Sequence, residues 1–198
     1  MGIGDRLRRM TGKTRFVVSR VFVHLSGSEA TPMLGILNQA ARNAIDADGE
    51  MEVLGEGLVA ICEGLLQYDA FWRSAGNEGE VFWDEGEAGD FVNELFTDSA
   101  SRYLSEVNYE EMPEDDLLTL PPTGNLVVMV TVAYEGELET LETNLADYEA
   151  LKEGLRSLIS LTYGESLRTV QVHYSPAQLG DELTDEQVLL NFPEVVPL

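Results

Sequence analysis

Alternation of apolar and polar positions marks the first strand of the chain. In Thr14 to Leu25, TRFVVSRVFVHL, Val17, Val21, Val23 and Leu25 fall on one side of a two-residue repeat, with Arg20 and His24 on the other. That period predicts a strand with one face on a core and the other towards solvent. Residues 125–136, NLVVMVTVAYEG, form a β-branched run bounded by Gly124 and Gly136, which predicts a strand buried on both faces. Val170, Val172 and Tyr174 alternate with Gln171 and His173, predicting a third strand with His173 partly exposed.

Elsewhere the apolar residues recur at helical spacing. Leu34, Leu37, Ala41 and Ile45 predict a helix stopped by Asp46-Ala47-Asp48-Gly49, and Leu54, Leu58, Ile61, Cys62 and Leu65 predict a second, the two forming an antiparallel pair about a short turn. Leu145, Tyr148, Leu151, Leu155, Leu158 and Ile159 make the clearest amphipathic stripe, ending near Tyr163-Gly164. Phe91, Leu95, Tyr103 and Leu104 predict a further helix, and Pro113, Pro121 and Pro122 mark a linker. Residues 68–90, rich in glycine, acids and aromatics, match neither period and read as a long loop. Near the end, Pro176 stops a strand, Thr184 and Gln187 have capping-box spacing, and Pro193 follows a short helix whose Leu183, Val188, Leu189 and Phe192 supply a packing surface. The prediction is an α+β (or α/β) fold, a small mixed β-sheet with an inserted helical segment packed on it. Its expected organisation is a basic arm (1–13), a strand-plus-helical region (14–112), a linker (113–124) and a βαβ-type unit with a C-terminal latch (125–198).

Charge changes this picture at both ends of its range. The 198 residues carry 36 acidic against 12 basic side chains, a formal charge of -24, which repels nucleic-acid phosphates and disfavours that class of partner. Arg6, Arg8, Arg9, Lys13, Arg15 and Arg20, opposed by Asp5 alone, concentrate positive charge near the start. Arg6, Arg8, Arg9 and Lys13 are therefore suited to peripheral contact with an anionic membrane, to an acidic partner, or to the acidic body of the same chain. No apolar run is long enough to span a bilayer and none resembles a signal-peptide core. A lone cysteine, Cys62, makes no internal disulfide. A cytoplasmic or plastid-stromal location is expected.

Candidate chemistry is sparse. Gly12-Lys13-Thr14 is the end of a phosphate-loop signature, but Leu7 stands where its first glycine belongs. Gly55-Glu56-Gly57 lies within a helical pattern and reads as a close-packing site. Asp46-Ala47-Asp48-Gly49-Glu50 invites a calcium loop, yet aligning Gly49 with the loop glycine puts Ala44 and Gly55 at ligand positions, so a turn is preferred. Cys62 falls on an apolar stripe and reads as core. His24 and His173 are the two histidines; with carboxylates they would make the nucleus of a metal site if their strands brought them together, although nothing sits at ligand spacing from either. The aromatic pairs Phe71-Trp72 and Phe82-Trp83 hold both tryptophans. Such residues either dock a loop onto the core or anchor a partner, with Trp72 assigned to core and Trp83 to a partner.

One resemblance rests on ordered residues. Ser175-Pro176, Gly180-Asp181, Leu183-Thr184, Glu186, Leu189-Leu190, Phe192-Pro193 and Pro197-Leu198 resemble the ending of cyanobacterial and plastid proteins of the domain of unknown function 1517, which include plant proteins implicated in acclimation to fluctuating light. The likeness is strongest over 126–198 and weaker over 17–72. It implies a non-enzymatic interaction or regulatory protein, linked to the photosynthetic membrane through protein partners, with no cofactor and no catalytic residues to carry over. The alternative is a metal-dependent enzyme or metal-binding protein using His24 and His173 with carboxylates.

Overall fold

A computed structural model describes residues 13–27, 30–102, 124–177 and 181–198. The first strand, β1 (Phe16–Ser26), is followed by helices α1 (Ala30–Asp46) and α2 (Met51–Gln67), and a 3-10 turn (Asp69–Phe71) then leads into β2 (Trp72–Phe82). After α3 (Glu85–Ser101) come β3 (Asn125–Glu135), α4 (Tyr148–Thr162), β4 (Leu167–Ser175), α5 (Asp185–Asn191) and the two-residue β5 (Val196–Pro197). The strands form one sheet in the order β4-β3-β1-β2-β5. Every neighbouring pair is antiparallel, so the fold is α+β and the sheet is antiparallel throughout rather than mixed. Strands from either side of residues 113–124 share it; residues 113–123 of that linker and most of the basic arm lie outside the described residues.

The sheet is covered on both sides. On its first face Val21, Val23, Leu25, Val128, Val130 and Val132 pack under Leu34 and Leu37 of α1, Leu58, Ile61 and Leu65 of α2, and Leu151, Leu155 and Leu158 of α4. Cys62 is part of this core, and burial pushes its thiol pKa up. The stripe on α1 stops short of Ile45, which is exposed. Asp48 and Gly49 take positive φ in the α1–α2 turn, as a tight interhelical turn requires. Gly55 and Gly57 make ordinary contacts only; the tight helix crossing is at Gly64, where a Cβ would come within 2.8 Å of Ile36.

The second face departs from expectation. Arg20 and His24 were expected to meet solvent, but a second layer of α3 and α5 covers them, leaving Arg20 2% and His24 7% exposed. Ala88, Val92 and Leu95 of α3 cover Phe16, Val18 and Ala133. Leu183, Val188, Phe192 and Val195 of the C-terminal latch cover Phe22, Val127 and Met129. The capping box forms, with Thr184 accepting from Gln187 N and the Gln187 side chain accepting from Thr184 N. Leu189, expected to pack, points away from the sheet with Leu190, each 76% exposed.

The expected loop of 68–90 is instead the eleven-residue β2 followed by the start of α3. Its glycines have a packing cause. A Cβ on Gly76 would lie 2.2 Å from Glu194 O, and one on Gly79 would lie 2.5 Å from Val18 O. Close approach of neighbouring backbone therefore places glycine in a strand here.

Candidate functional site

The second face encloses a polar layer. Opposite Arg20 of β1 lie Glu78 of β2 and Thr131 of β3, and opposite Thr131 lies Gln171 of β4, so one polar rung crosses four strands beneath α3. Arg20 Nε donates to Glu78 Oε1 (2.7 Å). Its Nη1 donates to Ser99 Oγ (2.7 Å) and Leu95 O (3.2 Å) and pairs with Asp98 (2.7 Å). Arg102 extends the chain of charges, meeting Asp98 at 2.8 Å and Glu194 at 2.7 Å. Burial raises the Asp98 carboxyl pKa, but hydrogen bonds from Arg20 and Arg102 outweigh it and hold that pKa below the usual range. Glu194 is lowered in the same way by Arg102, against its own burial. Both guanidiniums also stand over Phe22, at 4.9 and 5.7 Å from its centroid. Alternating charges thus bind β1, β2, α3 and the latch into one unit. Two guanidiniums hold three carboxylates, each paired within the fold, so their work is mechanical.

The histidines are buried, not partly exposed, and they are not brought together. His24 lies opposite Val127 and His173 opposite Met129, with β3 between their strands, which separates them by roughly 10 Å from strand spacing alone. His24 Nδ1 meets Ser74 Oγ at 2.8 Å and Nε2 meets Asn125 Oδ1 at 3.1 Å. Asn125 Nδ2 donates to Leu183 O and Asp185 Oδ1, so Asn125 Oδ1 is the acceptor. His24 therefore carries its proton on Nε2 and accepts from Ser74. His173 packs against Phe96 edge-on, with ring centroids 5.1 Å apart. Burial lowers both imidazole pKa values, with Arg20 adding to the effect at His173. Among the described residues no three His, Cys, Asp or Glu side chains are grouped to hold a metal ion.

The aromatic pairs occupy opposite ends of β2, about 30 Å apart at strand rise, and form no common cluster. Trp72 is buried, donates Nε1–H to Leu65 O (3.1 Å) and meets Tyr148 edge-on at 5.2 Å. Phe71 lies against Gly27. Phe82 packs on Phe91 with centroids 5.4 Å apart, and Trp83 is half-buried.

The surface itself offers a groove that periodicity did not reveal. Between α2 and the end of α4, a cavity of about 610 Å³ is lined by Met51, Val59, Tyr163 and Leu167 with Glu52, Glu56 and Glu63. Tyr163 is 78% exposed. Glu52, Glu56 and Glu63 recur at helical spacing, and α2 contains no lysine or arginine, so these like charges have no compensating pair within their own helix. Leu167 lies opposite Tyr134, which is opposite Val17, and Phe82 is opposite Phe16. The groove and Trp83 therefore share one end of the sheet. The signal was legible only as an acidic count, because the partner helix α4 lies far along the chain.

An antiparallel sheet sandwiched between two helical layers, with the charges of its second face paired within the fold and an acidic groove on the surface, defines an α+β protein. The chain belongs to the family described as protein of unknown function (DUF1517), which matches residues 15–198. No curated protein and no solved structure matches it. No helix among the described residues is long and apolar enough to cross a membrane.

Proposed function

We propose that this is a non-enzymatic interaction protein whose partner presents a basic amphipathic segment to the groove between α2 and α4. The observation carrying this reading is the groove's composition. Apolar Met51, Val59, Tyr163 and Leu167 are rimmed by Glu52, Glu56 and Glu63, and they fit a helix with one apolar face and one basic face. Charge complementarity of this kind speeds encounter and excludes acidic competitors. Trp83, at the same end of the sheet, is a second contact point in this reading. The family resemblance supports a regulatory role at the photosynthetic membrane, exercised through protein partners.

The test uses the full chain and a synthetic helical peptide with leucine on one face and lysine on the other. Its twin with glutamate for lysine should not bind. Replacing Glu52, Glu56 and Glu63 together by Gln should weaken the lysine peptide about tenfold, equivalent to ~1.4 kcal/mol, and Tyr163→Ser should weaken it without changing its salt dependence. Replacing Glu85, Glu87 and Asp90 on α3 serves as the control. Equal weakening by both triple variants would reduce the attraction to net charge and defeat the proposal.

A further inference from the structure

The two edges of the sheet are treated differently. On one side the last strand is β5, two residues long and containing Pro197, a common way to blunt an edge. On the other side the last strand is β4, nine residues long. Its guards are confined to its ends: a register shift beside Tyr134 with Arg168 paired to Glu135, and Pro176 after Ser175. Between them Thr169 to Ser175 contains no proline, lysine, arginine or acid, and among the described residues its outer edge pairs with no strand.

Apolar surface flanks this open edge on both faces. Val170, Val172 and Tyr174 line a cavity of about 160 Å³ with Ala41 and Ala44 of α1. On the opposite face Phe96 is 47% exposed while resting on His173. A strand pair alone buries less than the ~1,000 Å² a specific interface needs, so flanks of this kind are what would complete one.

We infer that β4 is a homodimerisation edge, pairing antiparallel with β4 of a second copy so that two five-stranded sheets become one. A two-fold axis normal to the sheet keeps even residues opposite even and odd opposite odd, because side chains alternate between faces. Val170, Val172 and Tyr174 then meet their own counterparts on one face, while Thr169, Gln171, His173 and Ser175 meet theirs on the other. Apolar meets apolar and neutral polar meets neutral polar. In a chain of formal charge -24, a seven-residue edge with no like charges to oppose is where a second copy can approach.

Sedimentation or light scattering on the full chain at physiological ionic strength should give twice the 21.9 kDa chain mass. Val172→Lys and Gln171→Lys, one on each face, should each return the chain mass while circular dichroism stays unchanged. A cysteine scan over residues 169–173 gives a second measurement, undisturbed by buried Cys62. Directly opposed residues lie about 4.5–5.5 Å apart at Cα, within disulfide range, so oxidation should crosslink best at the one residue on the axis and fall off on both sides. A monomeric mass at every concentration overturns the inference. So does a dimer that survives both lysine variants and shows no crosslinking maximum in β4.

Discussion

At Arg20 a guanidinium that is 2% exposed sits where a strand's polar face would ordinarily meet water. Its loss removes buried charge-assisted hydrogen bonds, while Glu78 and Asp98, 37% and 40% exposed, can turn to water. Arg20→Ala should therefore destabilise the fold by about 1.5–3 kcal/mol, read as a lowered midpoint in urea, and Asp98→Ala in the same background should cost less than it does alone. Additive losses would mean that the two side chains are not coupled. The tryptophans make a second contrast. Trp72→Ala removes a buried ring and the hydrogen bond to Leu65 O, and should cost about 3–5 kcal/mol. Trp83→Ala should leave the melting temperature close to that of the parent chain, and an equal drop for both would return Trp83 to the core.

Among the elements, the C-terminal latch is the most exposed to test. Ending the chain after Pro176 removes Leu183, Val188, Phe192 and Val195 from the cover over Phe22, Val127 and Met129. At ~1.5–3 kcal/mol each, their loss rivals the whole stability of a domain, and the truncated chain should be insoluble or molten. An unchanged melting temperature would show the latch to be an accessory. Leu189→Ser and Leu190→Ser should be nearly silent, because both side chains face solvent. This latch was largely legible in the sequence, since Thr184 and Gln187 act locally and Val188 and Phe192 sit one turn apart. β1, β3 and α4 were legible for the same reason: each period is written in neighbouring residues. β2 was not, because Gly76 and Gly79 are set by Glu194 and Val18, residues distant in sequence. The burial of Arg20 and His24 was equally hidden, as nothing within β1 announces that α3 and α5 will lie over it. The groove needed α4 beside α2, and so its residues could not be assembled from spacing.

For the whole molecule, pH acts through groups whose folded pKa lies below the unfolded value. His24 and His173 are both lowered, so stability is complete above the unfolded imidazole pKa of about 6.5 and falls as pH drops through the window beneath it. Asp98 and Glu194, also lowered, and Glu142, held down by hydrogen bonds from Arg15 against its own burial, extend the loss below about 4. The melting temperature should decline in that order; a flat profile between about pH 7.5 and 5 would show that unfolding does not change the protonation of either imidazole. Added salt should raise the melting temperature from its low-salt value, because self-repulsion at a charge of -24 is screened. Deleting residues 1–13 should weaken any binding to anionic vesicles at low salt and leave this melting behaviour intact; vesicle binding that persists undiminished without the arm would place the contact elsewhere. The alternating charges also carry a kinetic consequence. Arg20 finds Glu78 only 58 residues on, and Arg102 finds Glu194 only 92 residues on, while β1 sits between β2 and β3 in the middle of the sheet. A newly made β1 must hold its arginine in water until distant segments arrive, so assembly is dominated by non-local closure and is expected to be slow. During that interval the bare valines of β1 and β3 are open to chaperones and to aggregation, and the rate-limiting event should be the docking of α3 and the latch over a sheet already backed by α1, α2 and α4.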